Sequence, residues 1–407
     1  MERSTICLWD FSWYTLAGPG EPYADLERVL DETQDFGYTT VRICAAPLLL
    51  AGGLGLDDLA ESLPIEGLGR RETGYYGERT RWYAVPGGFS TPIAERLLQL
   101  LTGLQRRGMT VILSSWEYQQ SAAFAGDRRW HDAVTAVPMD ERLPTLARAF
   151  TALLHRIRDA GLLATVALVE LHNEIDFSLL PALDAVAVRS VDAVRREHPS
   201  VRVTISMGKP PHLAMHRVPA GLDAGQFHVY SYGVLDALQA AIDIRLTASE
   251  GFPNAALRAL QRADASSWAE YGRPAAWKLE ATVVTDQMFY GYDTIDADRW
   301  DTWLLEHYGP YREVMRREIE SRTIAIAEWG RWRGVPTLVG EGWIGYTPLH
   351  GRFEEGPVGR ALAEHGIATA WEQGVAGVVT CSNAAPHHPM WTTDAAWQRR
   401  MNQEFLR

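Results

Sequence analysis

Lysine is almost missing from this chain. Of 39 basic residues only Lys209 and Lys278 are lysines, and the rest are arginines. Basic charge as a whole is outweighed, with a formal net charge of −12, which argues against nucleic acid as a partner. Cysteine is scarce too. Cys7, Cys44 and Cys381 lie in apolar, strand-like runs, odd in number and without metal-site spacing. That excludes a disulfide framework and points to buried free thiols in a reducing compartment. No run of about 20 apolar residues exists, so no membrane-spanning segment is expected. Met1-Glu2-Arg3-Ser4 leads directly into a strand, without the features of a signal peptide, and a cytoplasmic location is expected. Gly52-Gly53-Leu54-Gly55 lacks the helix and the distal acid of a dinucleotide loop, and no nucleophile elbow occurs. His387-His388, and His172 with Glu174 and Asp176, lack established zinc spacing. No metal and no cofactor is expected.

What is present is a large apolar complement, 46% of the 407 residues, arranged in a repeating rhythm. An amphipathic helix ends at a glycine, and a short apolar strand follows. Leu26, Val29, Leu30 and Thr33 mark one helix face, Gly37 stops it, and Thr40–Ala45 reads as a strand. Ser90-Thr91-Pro92 opens the next helix with a capping hydroxyl and an early proline. The pattern predicts eight strands: Thr5–Asp10, Thr40–Ala45, Met109–Leu113, Leu163–Leu171, Val201–Met207, Gln226–Tyr230, Pro336–Gly340 and Val375–Cys381. Alternating strands and helices imply a parallel sheet, and eight units imply an α/β fold closed as a (β/α)8 TIM barrel. One catalytic domain over residues 1–407 is expected. Long insertions follow the second strand (Leu48–Phe89) and the sixth (about Ile244–Tyr311). Both should lie over the pocket face and wall it in.

Two of the strands end in carboxylates. Ala167–Leu171 runs into His172-Asn173-Glu174, and Thr337-Leu338-Val339 runs into Gly340-Glu341-Gly342. Acids delivered by two strands to one barrel mouth are what glycosidic bond cleavage requires. Asn173-Glu174 also suits a plain helix start, and Glu341 a solvent loop, though the apolar run before it speaks for burial. His228-Val229-Tyr230 sends two polar side chains to one face, where Tyr230 can hold a carboxylate ionised. A core His/Tyr pair is the plainer reading. Arg42 is a charge inside the apolar strand Val41-Arg42-Ile43 and needs an acidic partner. Glu341 is one candidate, and a structural ion pair elsewhere is the other.

Taken together, Arg42, Asn173-Glu174, His228, Tyr230 and Glu341 resemble the pattern of clan A glycoside hydrolases, and among them the cellulase-like, family 5-like barrels. The resemblance implies Glu174 as acid/base and Glu341 as nucleophile, with retention at the anomeric carbon. Two departures stand out. Ser114-Ser115-Trp116-Glu117-Tyr118 occupies the place of a histidine usual after the third strand. Thr380-Cys381-Ser382-Asn383 occupies the place of a tryptophan usual at the eighth.

A carbohydrate substrate also needs aromatic faces and hydroxyl readers. Trp9, Trp13, Tyr14, Trp116, Tyr118, Trp343, Tyr346 and Trp391 fall near predicted strand ends, with core filling as the alternative for about half. Asp10, and more weakly Glu117 and Asn383, are candidate hydrogen-bonding partners of sugar hydroxyls, and Glu280 is a rival carboxylate in the second insertion. The leading expectation is a retaining β-glycosidase acting on short glycosides by double displacement. The alternatives are an endo-acting cellulase-like β-glucanase and a sugar-binding barrel of the same type that does not catalyse.

Overall fold

Each apolar run between a helix-stopping glycine and the next polar segment becomes a parallel strand. A computed structural model of the chain describes residues 2–245, 250–345 and 349–407. Its barrel strands are β1 (Ser4–Asp10), β2 (Thr40–Cys44), β3 (Thr110–Ser114), β4 (Val166–Glu170), β5 (Arg202–Thr204, resuming at Ser206–Met207), β6 (Gly225–Ser231), β7 (Thr337–Ile344) and β8 (Gly377–Val379). Every neighbouring pair is parallel. β1 pairs with both β2 and β8, while the two halves of β5 pair with β4 and β6 respectively, so the sheet closes on itself. The interruption at Ile205 is the one place where the ring changes from one half-strand to the other. Most strands are followed by a helix, among them Ile93–Arg106, Arg142–Asp159 and Ala185–Glu197. The segment after β5 is different: only a single 3-10 turn, Met215–Arg217, separates it from β6.

Side-chain alternation divides the barrel interior into layers. Ile6, Ile112, Leu168 and Leu338, together with Ala224, form a small apolar cluster of their own that plugs the floor. One pleat further along, Leu8, Ser114 and Glu170 occupy the next inward positions, and polar chemistry begins there. Outward-facing residues of the same strands join the helices in the main apolar core.

The first insertion carries the short helices Pro47–Ala51 and Asp57–Glu61 and an antiparallel pair, Leu63–Ile65 with Phe89–Thr91. Among the described residues the second carries the helices Ala255–Leu260, Trp268–Tyr271, Ala276–Glu280, Asp286–Thr294 and Ala297–His307. Buried polar contacts tie them together. Gly77 and Arg79 donate backbone N–H groups to Asp293 at 2.8 and 3.0 Å. The Lys278 ammonium donates to the carbonyls of Gly67 and Ala125, and burial lowers its pKa to about 8. No helix among the described residues is long and apolar enough to cross a membrane.

Candidate active site

The layer above the apolar floor is organised by Arg42. Its guanidinium is fully buried and faces Trp116, 4.7 Å from the ring centre. Nε and Nη2 donate to the two oxygens of Glu170 at 2.9 and 2.7 Å. Nη2 also donates to Asn173 Oδ1 at 2.6 Å, and Nη1 to Glu341 Oε1 at 2.8 Å. A buried guanidinium is tolerated because each of its three nitrogens donates to a carboxylate or amide oxygen. Both expected partners of Arg42 therefore hold at once: Glu341, and a structural partner, Glu170. Burial alone raises the Glu170 pKa, but the opposing Arg42 charge prevails and leaves it below the usual range.

Glu341 accepts a second bond, from the Tyr230 hydroxyl to Oε2 at 2.9 Å. Tyr230 in turn meets Ser382 Oγ at 2.7 Å. Each oxygen of Glu341 thus has a donor, as an ionised carboxylate requires. Glu174 is held differently. Its Oε2 accepts from Gln119 Nε2 at 3.0 Å, and its Oε1 lies 2.8 Å from His228 Nδ1. Gln119 is itself oriented by Asn173, whose Nδ2 donates to Gln119 Oε1 at 2.8 Å. The backbone at Glu174 is left-handed, φ 44°, and its N–H donates to Ser206 Oγ at 2.8 Å. Burial, reinforced by the charge of Asp176, pushes the Glu174 carboxyl up to about 7. Burial also holds His228 below its ordinary value, so its ring is neutral near pH 7.

The two glutamates face one another. One oxygen of Glu174, one of Glu341 and a ring nitrogen of His228 lie within 4.8 Å of each other. Carboxyl groups about 5–5.5 Å apart are the arrangement of retaining glycosidases, whereas inverting enzymes leave room for a water at about 6.5–9.5 Å. The same three groups are the described residues' nearest approach to a metal cluster. The Arg42 guanidinium, 2.8 Å from Glu341, opposes a second cation there.

These groups open into a cavity of about 670 Å³. Asp10, Trp116, Asn173, Glu174, Tyr230 and Glu341 line it from the barrel. Tyr83 from the first insertion and Val283, Val284, Met288 and Tyr292 from the second wall it in. Asp10 has φ 43° and accepts the Ser12 N–H, and burial pushes its carboxyl up to about 8.

Several expected sugar contacts lie elsewhere. Glu117 turns behind the barrel wall, where Leu48 N, Leu49 N, Ser115 Oγ and Trp130 Nε1 all donate to it. It serves the backbone of the first insertion. Trp13 is fully buried, with its indole N–H on the Cys44 carbonyl. Trp343 points outward, bonds the Val379 carbonyl and packs onto Gly366, where a Cβ would sit 2.2 Å from its ring. Asn383 is buried away from the cavity because its neighbour Ser382 takes the inward position beside Tyr230. Trp9, Tyr14, Tyr118 and Trp391 also pack in the core, and Tyr346 lies outside the described residues. Glu280 is exposed on the surface, 3.7 Å from His131. Glu170, Gln119, Ser206 and Ser382 were not singled out from sequence. Only Glu170 carried a signal: like Arg42, it is a charge within an apolar strand.

A candidate glycoside hydrolase from Parabacteroides distasonis is 19% identical, with a TM-score of 0.67, over 100% of this chain and 94% of that one. A glycoside hydrolase family 5 mannosidase from Rhizomucor miehei is 11% identical, with a TM-score of 0.50, over 100% of this chain and 93% of that one. Identities this low establish a shared fold. Residues 6–181 match the model of a family described as sugar-binding cellulase-like. The chain thus shares the barrel fold of these glycoside hydrolase structures, and over residues 6–181 it is similar to the cellulase-like family. The matched segment contains Arg42, Asn173 and Glu174 and ends before His228, Tyr230 and Glu341. No curated protein matches the sequence.

Proposed function

We propose that this protein is a retaining β-glycosidase that cleaves short glycosides by double displacement. The observation that carries the proposal is a pair of carboxylates, one just beyond β4 and one within β7, with an oxygen of each within 4.8 Å of the other and in unlike surroundings. Glu341, bonded by Arg42 and Tyr230, is the ionised nucleophile that attacks the anomeric carbon. Glu174, with its pKa raised to about 7, carries the proton that the departing oxygen takes. A glycosyl ester on Glu341 results. Glu174, now ionised, deprotonates a water that attacks the same carbon from the vacated side, so the β configuration returns. Asn173, fixed by Arg42 and Gln119, is placed to bind the sugar 2-hydroxyl, a contact that strengthens in the transition state. Walls from both insertions favour short glycosides over long polymers. A location inside the cell is part of the same proposal.

A panel of nitrophenyl β-glycosides tests this reading, with Glu341→Ala as control. Turnover with the β-sugar formed first, seen by proton NMR, supports it. Turnover that survives Glu341→Ala contradicts it. A second reading rests on the family description, which names sugar binding rather than hydrolysis. A barrel of that kind binds the free sugars of the panel and turns over none of the glycosides.

A further inference from the structure

Exposed apolar side chains stand among the charged ones that line the cavity. A general acid has to face the oxygen it protonates, so the side chains outward of Glu174 contact whatever departs. Phe177 lies three residues beyond Glu174, at the end of the short 3-10 turn Ile175–Phe177 that Glu174 precedes. A Cβ placed on Gly208 would lie 2.6 Å from both the Glu174 carboxyl and the Phe177 ring, so only a glycine fits between acid and aromatic. Phe177 is nonetheless 51% exposed. Val283 and Val314 line the same cavity from the second insertion and from the helix Arg312–Arg333, and they are 49% and 61% exposed. Val284 and Met288 continue this surface inward.

Charged groups at the mouth are largely paired. Glu318 meets Arg322 at 2.5 Å and accepts from Ser231 at 2.6 Å. Arg245 lies beside Gln239 and 3.8 Å from Asp236. Lys209, also at the rim, has its amide on Asp176 and an exposed side chain that keeps its charge in water. Aliphatic side chains offer nothing to sugar hydroxyls. Their shared exposure on one ligand cavity points to an apolar ligand rather than chance exposure.

From this geometry we infer that the substrate is a β-glycoside of an apolar alcohol, with an alkyl or terpenoid-like aglycone lying against Phe177, Val283 and Val314. The inference rests on the reading of the cavity as a glycoside site with Glu174 as the acid. A sugar aglycone would stack on Phe177 but find no hydrogen-bonding partner in Val283 or Val314.

The test compares methyl, butyl and octyl β-glycosides of the sugar preferred in the nitrophenyl panel, below micellar concentration, with the matching disaccharide. The three alkyl leaving groups differ little in intrinsic reactivity, so differences in kcat/KM report binding. The expected result is a rise of about tenfold or more from methyl to octyl, as methylenes leave water. Octyl glycoside should also exceed the disaccharide, and Val314→Asp should lower the octyl-to-methyl ratio. Equal rates along the series, or a preferred disaccharide, would overturn the inference. If no glycoside turns over, the catalytic reading has failed, and titration calorimetry with the same alkyl glycosides still decides the aglycone. Octyl glycoside binding more tightly than methyl, with Val314→Asp removing the difference, supports the apolar site. Equal affinities refute it.

Discussion

Glu117 and Glu174 follow adjacent strands, β3 and β4, and burial pushes each carboxyl up to about 7. Only one of them faces a cavity. Glu117 is enclosed by two backbone N–H groups, a hydroxyl and an indole, which leave no room for a ligand. Glu174 has one donor on Oε2, a neutral imidazole beside Oε1 and open space in front. The difference teaches that a perturbed carboxyl marks burial first, and that chemistry depends on what the carboxyl can still reach. A perturbed pKa supports a functional assignment only when geometry supplies the partner.

The comparison can be broken most forcefully by removing one acid at a time. Glu174→Gln should lower kcat/KM for alkyl glycosides by about 10³-fold, within the usual range for general acid catalysis. It should slow glycosylation by dinitrophenyl glycosides far less, because that leaving group needs no proton. Equal losses on both substrates in steady-state assays would deny Glu174 the role of acid. Arg42→Met tests the floor beneath both glutamates. It leaves Glu170 buried without its counter-charge, and a loss of about 3–5 kcal/mol is expected in denaturant unfolding. A change below 1 kcal/mol would show that the buried pair is dispensable.

The third test uses pH. Glu174 acts as acid only while protonated, which holds below its pKa of about 7. kcat/KM should therefore fall as pH rises through about 7, and Glu174→Gln should abolish that limb. Glu117→Gln should retain it, although Glu117 titrates in the same range. The smallest effect belongs to Glu117→Ala. It leaves two backbone N–H groups and an indole without their acceptor, which costs about 1–3 kcal/mol of stability by thermal or denaturant unfolding. kcat/KM should stay close to wild type. A large loss of activity in a folded Glu117→Ala protein would erase the distinction between the two residues.

The barrel was legible from sequence because its signals are local. Apolar runs after Gly37, Gly108, Gly161, Gly334 and Gly374 needed only the periodicity of neighbouring residues to be recognised. Arg42, Asn173, Glu174, His228, Tyr230 and Glu341 could be gathered for a related reason: each is polar at or just beyond an apolar strand. Glu170 belongs to the same class, a charge that closes the apolar strand β4 four residues before Glu174. Direction was harder to read than position. Trp343 is two residues beyond Glu341, a spacing that puts both on one face of a regular strand, yet its indole goes outward onto Gly366. Ser382 and Asn383 are adjacent, and the choice of which one points inward rests on Tyr230, far away in sequence. Glu117 was misplaced because two of its donors, Leu48 N and Leu49 N, come from the first insertion, whose folding back over β3 no local pattern predicts. The short link between β5 and β6 likewise reflects the barrel's closure rather than any motif.

The account depends most on Glu341 receiving the sugar while Glu174 stands within 4.8 Å of it. A 2-deoxy-2-fluoro glycosyl fluoride of the preferred sugar slows both steps, but the second more, and so traps the covalent intermediate. Peptide mass spectrometry of the inactivated protein should place the adduct on Glu341, in the peptide containing Gly340-Glu341-Gly342. An adduct on Glu174 or elsewhere, or steady turnover of glycosides with no adduct and with inversion at the anomeric carbon, would contradict it.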